Sequence, residues 1–228
     1  YLDGGSGDDY VLGGSGGDNL FGGSGNDLGF GDHGQISFVS GLPSVATSGP
    51  DFDAGSGDLI SGDDGDDILV GGAGQDTIND GAGHELILGD SGSVTFNTST
   101  HVVIDLHTTN PTSGSADFIN AGAGNNVVFG GAGADNLTTG SGADVVAGDN
   151  GRAEFNSGGF ITLVVTTDSN AGDNDTISLG AGDNLAFGGI GNDLITAGDN
   201  NDTIVSDNGS ATFDAPNRVV IDVRTANV

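Results

Sequence analysis

Aspartate returns at the end of a glycine-rich turn every nine residues, in Gly4-Gly5-Ser6-Gly7-Asp8-Asp9, Gly13-Gly14-Ser15-Gly16-Gly17-Asp18 and Gly22-Gly23-Ser24-Gly25-Asn26-Asp27. The same slot holds Asp58, Asp67, Asp76, Asp117, Asp135, Asp144, Asp175, Asp193 and Asp202. Glycine lets a tight turn aim its carbonyls inward, and carboxylates stacked beside such carbonyls suit a hard, oxygen-seeking cation. Asp also caps turns without any metal. Two facts favour ions: the strict period, and a net charge of -30 from 33 acidic and 3 basic residues, which opposes compaction unless cations screen it. The absence of Cys excludes disulfides and thiolate sites, so calcium is the natural candidate and folding is expected to depend on it.

Three units carry Glu85, Asn126 or Asn184 in the slot, and a longer or neutral side chain there predicts weaker or empty sites. Asp32, Asp90, Asp149 and Asp207 stand second in units that lack the sixth-position Asp, which makes them candidate replacement ligands. Catalysis is not expected, because carboxylates held ionised by a divalent cation are poor acids and bases. His33, His84, His101 and His107 occupy non-equivalent places and read as surface residues, and no nucleophile elbow occurs. Lys is absent and Arg152, Arg218 and Arg224 form no basic patch, which argues against nucleic acid and anionic membranes as partners. No apolar run approaches 18 residues, so membrane insertion is not expected. With no starting Met or signal peptide, the chain reads as a fragment of something longer.

A nine-residue unit cannot bury a core alone and must stack on its neighbours. The three residues after each turn predict a short strand with its middle side chain turned inward. Those middle positions are Ile60, Leu69, Ile78, Ile87, Phe96, Val128, Leu137, Val146, Phe155, Ile177, Ile195, Ile204 and Phe213.

The recurring GGxGxD turn with its aliphatic tail resembles the haemolysin-type calcium-binding nonapeptide repeat of RTX proteins. That resemblance implies an all-β, right-handed parallel β-roll. It also implies calcium ions between stacked turns, held by glycine-rich carbonyls and by the sixth-position aspartates of neighbouring coils. It further implies export as an unfolded chain, by a type I system, with folding outside the cell or at the bacterial cell surface.

A longer period overlies the short one. Gly31-Asp32-His33-Gly34, Gly89-Asp90-Ser91-Gly92, Gly148-Asp149-Asn150-Gly151 and Ser206-Asp207-Asn208-Gly209 recur about every 58 residues, and each precedes a stretch outside the motif. This divides the chain into super-repeats 1–52, 53–111, 112–169 and 170–228. Taken as five nonapeptides and one expanded unit, a super-repeat spans three coils. Insertions would then stand in one row about 14 Å apart, on a rod about 58 Å long, if coils stack at roughly 4.8 Å. The insertions contain β-branched runs such as Phe160-Ile161-Thr162-Leu163-Val164-Val165, and all four prolines, Pro43, Pro50, Pro111 and Pro216.

The two outer faces of the roll differ. One presents Leu28, Phe30, Ile68, Val70, Leu86, Leu88, Val127, Phe129, Val145, Leu185, Phe187 and Val205; the other presents Thr77, Asn79, Asn136, Thr138, Thr95, Asn97, Glu154, Asn156, Thr212 and Asp214. An apolar face of that size needs a cover. Two covers stay open: the insertions folded over it, or another chain in lateral association. Gly29, where an aliphatic is expected, suggests a local bulge. Ser or Ala at the third motif position argues against an ice-binding Thr ladder. The function expected is that of a calcium-stiffened structural rod, an extender or fibre of a repetitive adhesin. The alternative is a carboxy-terminal export and folding module of a secreted hydrolase.

Overall fold

The computed structural model describes residues 1–49 and 56–226, and it is built of strands with no helix among those residues. The boundary placed at 52/53 and Pro50 lie outside the described residues. Glycine-rich turns reverse the chain, as where Gly72 and Gly74 both take φ 114°. Successive three-residue tails therefore fall alternately into two parallel sheets.

The first roll sheet holds Leu2–Ser6, Asn19–Ser24, Leu59–Asp64, Thr77–Asn79, Phe118–Asn120, Asn136–Thr138, Thr176–Ser178 and Leu194–Thr196, in that order. The second holds Tyr10–Leu12, Leu28–Phe30, Ile68–Gly72, Leu86–Asp90, Val127–Phe129, Val145–Ala147, Leu185–Phe187 and Thr203–Val205. The register keeps the middle aliphatics in line, Ile60 to Ile78 to Ile119 to Leu137 to Ile177. Between the sheets these pack against Val11, Leu69, Ile87, Val128, Val146 and Ala186 in a narrow apolar core. Gly29 is no bulge. It pairs regularly between Val11 and Leu69, and a methyl there would sit 3.3 Å from Leu69 Cδ2, which already fills the space.

The insertions form a third sheet. Four antiparallel hairpins, Gly34–Val39 with Leu42–Ser48, Gly92–Phe96 with Val103–Thr108, Gly151–Phe155 with Ile161–Thr166, and Gly209–Asp214 with Val219–Thr225, pair edge to edge. The joins run through Thr47 and Ser93, Asp105 and Glu154, and Leu163 and Thr212. The result is a continuous eight-stranded cover over the apolar face of the second roll sheet. Its inner row reads Ala46, Val94, Leu106, Ala153, Val164 and Ala211, all buried. This row of small and medium side chains packs in one cluster with Phe30, Phe129 and Phe187, which are fully buried. The cover is therefore supplied by the chain itself.

The spacing of the hairpins differs from the expected three coils. Only two strands of each roll sheet separate one hairpin from the next. The fifth nonapeptide of each long period turns out of the roll to become the first strand of a hairpin. Phe96, Phe155 and Phe213 accordingly pack in or against the cover-sheet core and not inside the roll, and Thr95, Glu154 and Thr212, expected on the polar roll face, belong to the third sheet. Eight coils at about 4.8 Å make the roll about 38 Å long, with hairpins about 10 Å apart. That pitch explains the continuous cover: two coils add two strands below, and one hairpin adds two strands above.

Candidate metal centres on the two edges of the roll

Turns leading from the first roll sheet to the second line one edge of the roll, and the return turns line the other. Along the second edge each sixth-position amide donates to the carboxylate of the next coil. Asp18 N–H reaches Asp58 Oδ1 at 2.7 Å, Asp58 reaches Asp76, Asp76 Asp117, Asp117 Asp135 and Asp135 Asp175, each at 2.8 Å, and Asp175 reaches Asp193 at 3.0 Å. The first edge runs likewise from Asp9 to Asp27 (2.8 Å), Asp67 (2.6 Å), Glu85 (2.8 Å), Asn126 (3.0 Å), Asp144 (2.9 Å), Asn184 (2.9 Å) and Asp202 (3.1 Å). The sixth-position aspartates singled out by spacing thus fall into two columns.

Each ladder bond uses one carboxylate oxygen. The other, Oδ2 of Asp27, Asp58, Asp67, Asp117, Asp135, Asp144, Asp175 and Asp193, is buried with no hydrogen-bond partner, as is Oδ2 of Asp9, which opens the first ladder. Leaving a charged acceptor in that state costs upward of about 1–3 kcal/mol each. Glycine keeps the space beside these oxygens clear. A methyl on Gly22 would overlap Asp27 Oδ2, and one on Gly71 would lie 2.5 Å from Asp76 Oδ2 and overlap the Gly89 carbonyl oxygen. What a side chain would fill is a gap walled by carboxylate and carbonyl oxygens, the donor set of a hard cation.

The electrostatics agree. Burial is the first cause that lifts the carboxyls, backbone hydrogen bonds oppose it, and neighbouring carboxylates add to it at most of these sites. Asp67 and Asp135 are raised to about 7, Asp175 to about 9 and Asp117 to about 10. Asp27, Asp58 and Asp144 are raised as well, again chiefly by burial. In a chain without metal these positions resist ionisation, as oxygen sites built around an absent positive charge should.

The second-position aspartates join the second edge in three cases out of four. Asp32 Oδ2 accepts from the Ala73 amide at 2.6 Å, Asp90 Oδ2 from Ala132 at 2.5 Å, and Asp149 Oδ2 from Ile190. Oδ1 of Asp90 and of Asp149 is buried and unpartnered. Asp90 interacts with Asp76, Asp117 and Asp135, and Asp149 with Asp135, Asp175 and Asp193. Burial lifts Asp90 to about 9 and Asp149 to about 7. Asp207 is exposed, and its hydrogen bond is from the neighbouring Ser206 hydroxyl at 3.3 Å.

Three features of the first edge escaped the sequence. Asn126 and Asn184 fill their own gaps. Asn126 Nδ2 donates to the Ala121 and Gly122 carbonyls at 3.0 and 3.4 Å, and Asn184 Nδ2 donates to Gly180 and Gly182 at 3.2 and 3.1 Å. The amide thus takes the turn carbonyls that a cation would otherwise use. Arg218, from the last hairpin, donates to the carbonyls of Asn125 and Asn126 at 2.7 and 2.8 Å; burial lowers its pKa to about 10, opposed by the nearby Asp144. Finally, fifth-position side chains form an outer ladder, in which Asp8 accepts from Asn26, Asn26 from Asp66, Asp66 from His84 and His84 Nδ1 from Asn125. Of the other histidines, His33 lies 3.3 Å from Ser15 Oγ and His107 lies 2.7 Å from Asp105 on the outer face of the cover.

The family described as the RTX calcium-binding nonapeptide repeat (4 copies) matches residues 1–33, 61–96, 112–152, 171–204 and 178–212, more than half of the chain. No curated protein and no solved structure matches it.

Proposed function

The chain belongs to the RTX calcium-binding nonapeptide-repeat family, and on that premise we propose that it serves as a calcium-stiffened extender rod in a repetitive protein outside the cell. Calcium supplies the positive charge that allows a chain of net charge -30 to fold compactly. The residues that would hold it are the two columns, Asp9, Asp27, Asp67, Asp144 and Asp202 on the first edge and Asp18, Asp58, Asp76, Asp117, Asp135, Asp175 and Asp193 on the second. Asp32, Asp90 and Asp149 would add a carboxylate beside each hairpin root. Extracellular fluid carries calcium at the millimolar level that fills even weak oxygen sites, which supports folding after secretion.

One observation carries the extender reading: the apolar face of the roll is already buried beneath the hairpins. The outer row of the cover runs Thr47, Ser93, His107, Arg152, Val165 and Ser210, mostly polar, and the opposite face shows Asn79, Asn120 and Thr138. The exposed large apolar side chains gather mainly toward the two ends of the solenoid, with Tyr10, Leu12, Phe38 and Leu42 at one end and Leu194, Ile204 and Ile221 at the other. Phe118 and Phe160 are the exceptions along its length, and a body otherwise polar on its long sides extends along its axis. Small-angle scattering in millimolar calcium over a wide concentration range tests this. The cross-sectional radius should stay constant as concentration rises, and a cross-section that grows would instead make the rod a laterally bundling fibre.

A further inference from the structure

One turn of the first edge departs from the motif twice. Its first position, glycine in the parent motif, is Asp80, and its sixth, normally Asp, is Glu85. In sequence the second change reads as a weakening. In three dimensions the two changes meet. Ligand oxygens of Asp67, Asp80 and Glu85 all lie within 4.8 Å of one another, and the side chains are buried, with 0%, 8% and 0% exposure. Among the described residues this is the one group of three acidic or imidazole ligands so placed.

Each of the three carboxylates is anchored through one oxygen and leaves the other unspent. Asp67 Oδ1 accepts the Asp27 amide at 2.6 Å, Asp80 Oδ1 the Gly81 amide at 2.9 Å, and Glu85 Oε2 the Asp67 amide at 2.8 Å. Asp67 Oδ2, Asp80 Oδ2 and Glu85 Oε1 are buried and no donor of the protein reaches them; without a cation the Asp80 and Glu85 carboxyls can satisfy each other only by sharing a proton. Two glycines keep the space between them open. A methyl on Gly62 would overlap Asp67 Oδ2 and stand 2.6 Å from Asp80 Oδ1, and one on Gly83 would stand 2.5 Å from Glu85 Oε1. On the same edge, the next coil closes its own gap through the Asn126 amide.

We propose that Asp67, Asp80 and Glu85 form a three-carboxylate site for one hard divalent cation, calcium, and that it is the tightest site in the rod. Ordinary positions on these edges offer the free carboxylate oxygens of adjacent coils, and Asp90 and Asp149 add a neighbour on the second edge; among the described residues only this position brings three ligand oxygens within 4.8 Å of one another, the third from a residue the motif does not supply. Oxygen sites gain affinity with each added carboxylate charge, and a gain on the order of tenfold or more over the neighbouring sites is expected. Glu85 gives the extra reach that lets its carboxylate share the space with Asp80 without losing its ladder bond to Asp67. The inference rests on the reading that the edges bind calcium at all.

The test counts ions on the whole chain, dialysed first against millimolar calcium and then against calcium buffers of falling free concentration. Wild type should release most of its calcium together and keep one ion per chain to at least tenfold lower free calcium. Asp80→Gly, which restores the motif residue, should lose that ion with the rest, while Asp222→Asn, exposed on the last hairpin beside Arg224, should keep it. No retained ion in wild type, or one retained equally in Asp80→Gly, would overturn the site. A chain that binds no calcium even at millimolar concentration would overturn the broader reading instead. Should Asp80→Gly fail to fold, Glu85→Gln gives the same comparison.

Discussion

Removing the metal should make folding depend on acid. Asp67, Asp135 and Asp149 hold their protons to about pH 7, Asp90 and Asp175 to about 9, and Asp117 to about 10, and Glu85 is raised beside Asp80, all lifted first by burial. In the unfolded chain they titrate near 4. A carboxyl whose folded pKa lies above its unfolded one puts no burden on the fold below about pH 4. The penalty then builds with rising pH until the folded value is passed. At pH 7 a group held at 9 has accumulated roughly 4 kcal/mol, at about 1.4 kcal/mol for each pH unit above 4. Two or three such groups match the 5–15 kcal/mol that holds an average domain together. Calcium-free protein should therefore be an expanded coil at pH 7.5 and should regain β structure as pH falls toward 4, while calcium-loaded protein stays folded throughout. Far-UV circular dichroism and sedimentation velocity on calcium-free protein, stepped from pH 7.5 to 4, provide the assay. A metal-free chain that is fully folded at pH 7.5, or one still a coil at pH 4, would refute the reasoning.

Two further outcomes follow from the geometry. Phe129 is fully enclosed between the second roll sheet and the cover, so Phe129→Ala should cost about 3–5 kcal/mol in urea unfolding at saturating calcium, with no change in the number of ions bound. Asn184→Asp replaces an amide that holds the Gly180 and Gly182 carbonyls with a carboxylate that cannot donate to them, so it should raise the calcium count by one ion per chain. An unchanged count would mean that the amide is not what closes that position.

The nine-residue spacing was enough to place the sixth-position aspartates in stacked turns, because a β-roll has no freedom to put an in-phase residue anywhere else. The apolar outward row, Phe30, Phe129 and Phe187 among it, was equally legible, since side chains alternate strictly along a strand. The hairpin pitch was misjudged for a physical reason. Gly89-Asp90-Ser91-Gly92 looks like a degenerate motif turn, yet Asp90 bonds forward to Ala132 and the chain leaves the roll there. Composition gives no sign of that exit. Nor could spacing reveal that Asp80 and Glu85 converge, because each alone is a loss against the motif. The signal was their coincidence in a single turn. The amide closure by Asn126 was hidden similarly: Asn in place of Asp reads as a missing charge until its donor is seen on the Ala121 carbonyl.

The equal pitch of roll and cover also acts as a gauge on length. Two strands are laid below for every two laid above, so the rod can be lengthened or shortened only in whole steps of about 10 Å. An extra coil of eighteen residues, faultless as motif and able to stack on its neighbours, would leave the cover one strand short and bring a row such as Val127 and Phe129 to water. Duplication of nonapeptides is thereby constrained to pairs of coils that carry a hairpin, and the regular long period in the sequence is the trace of that constraint.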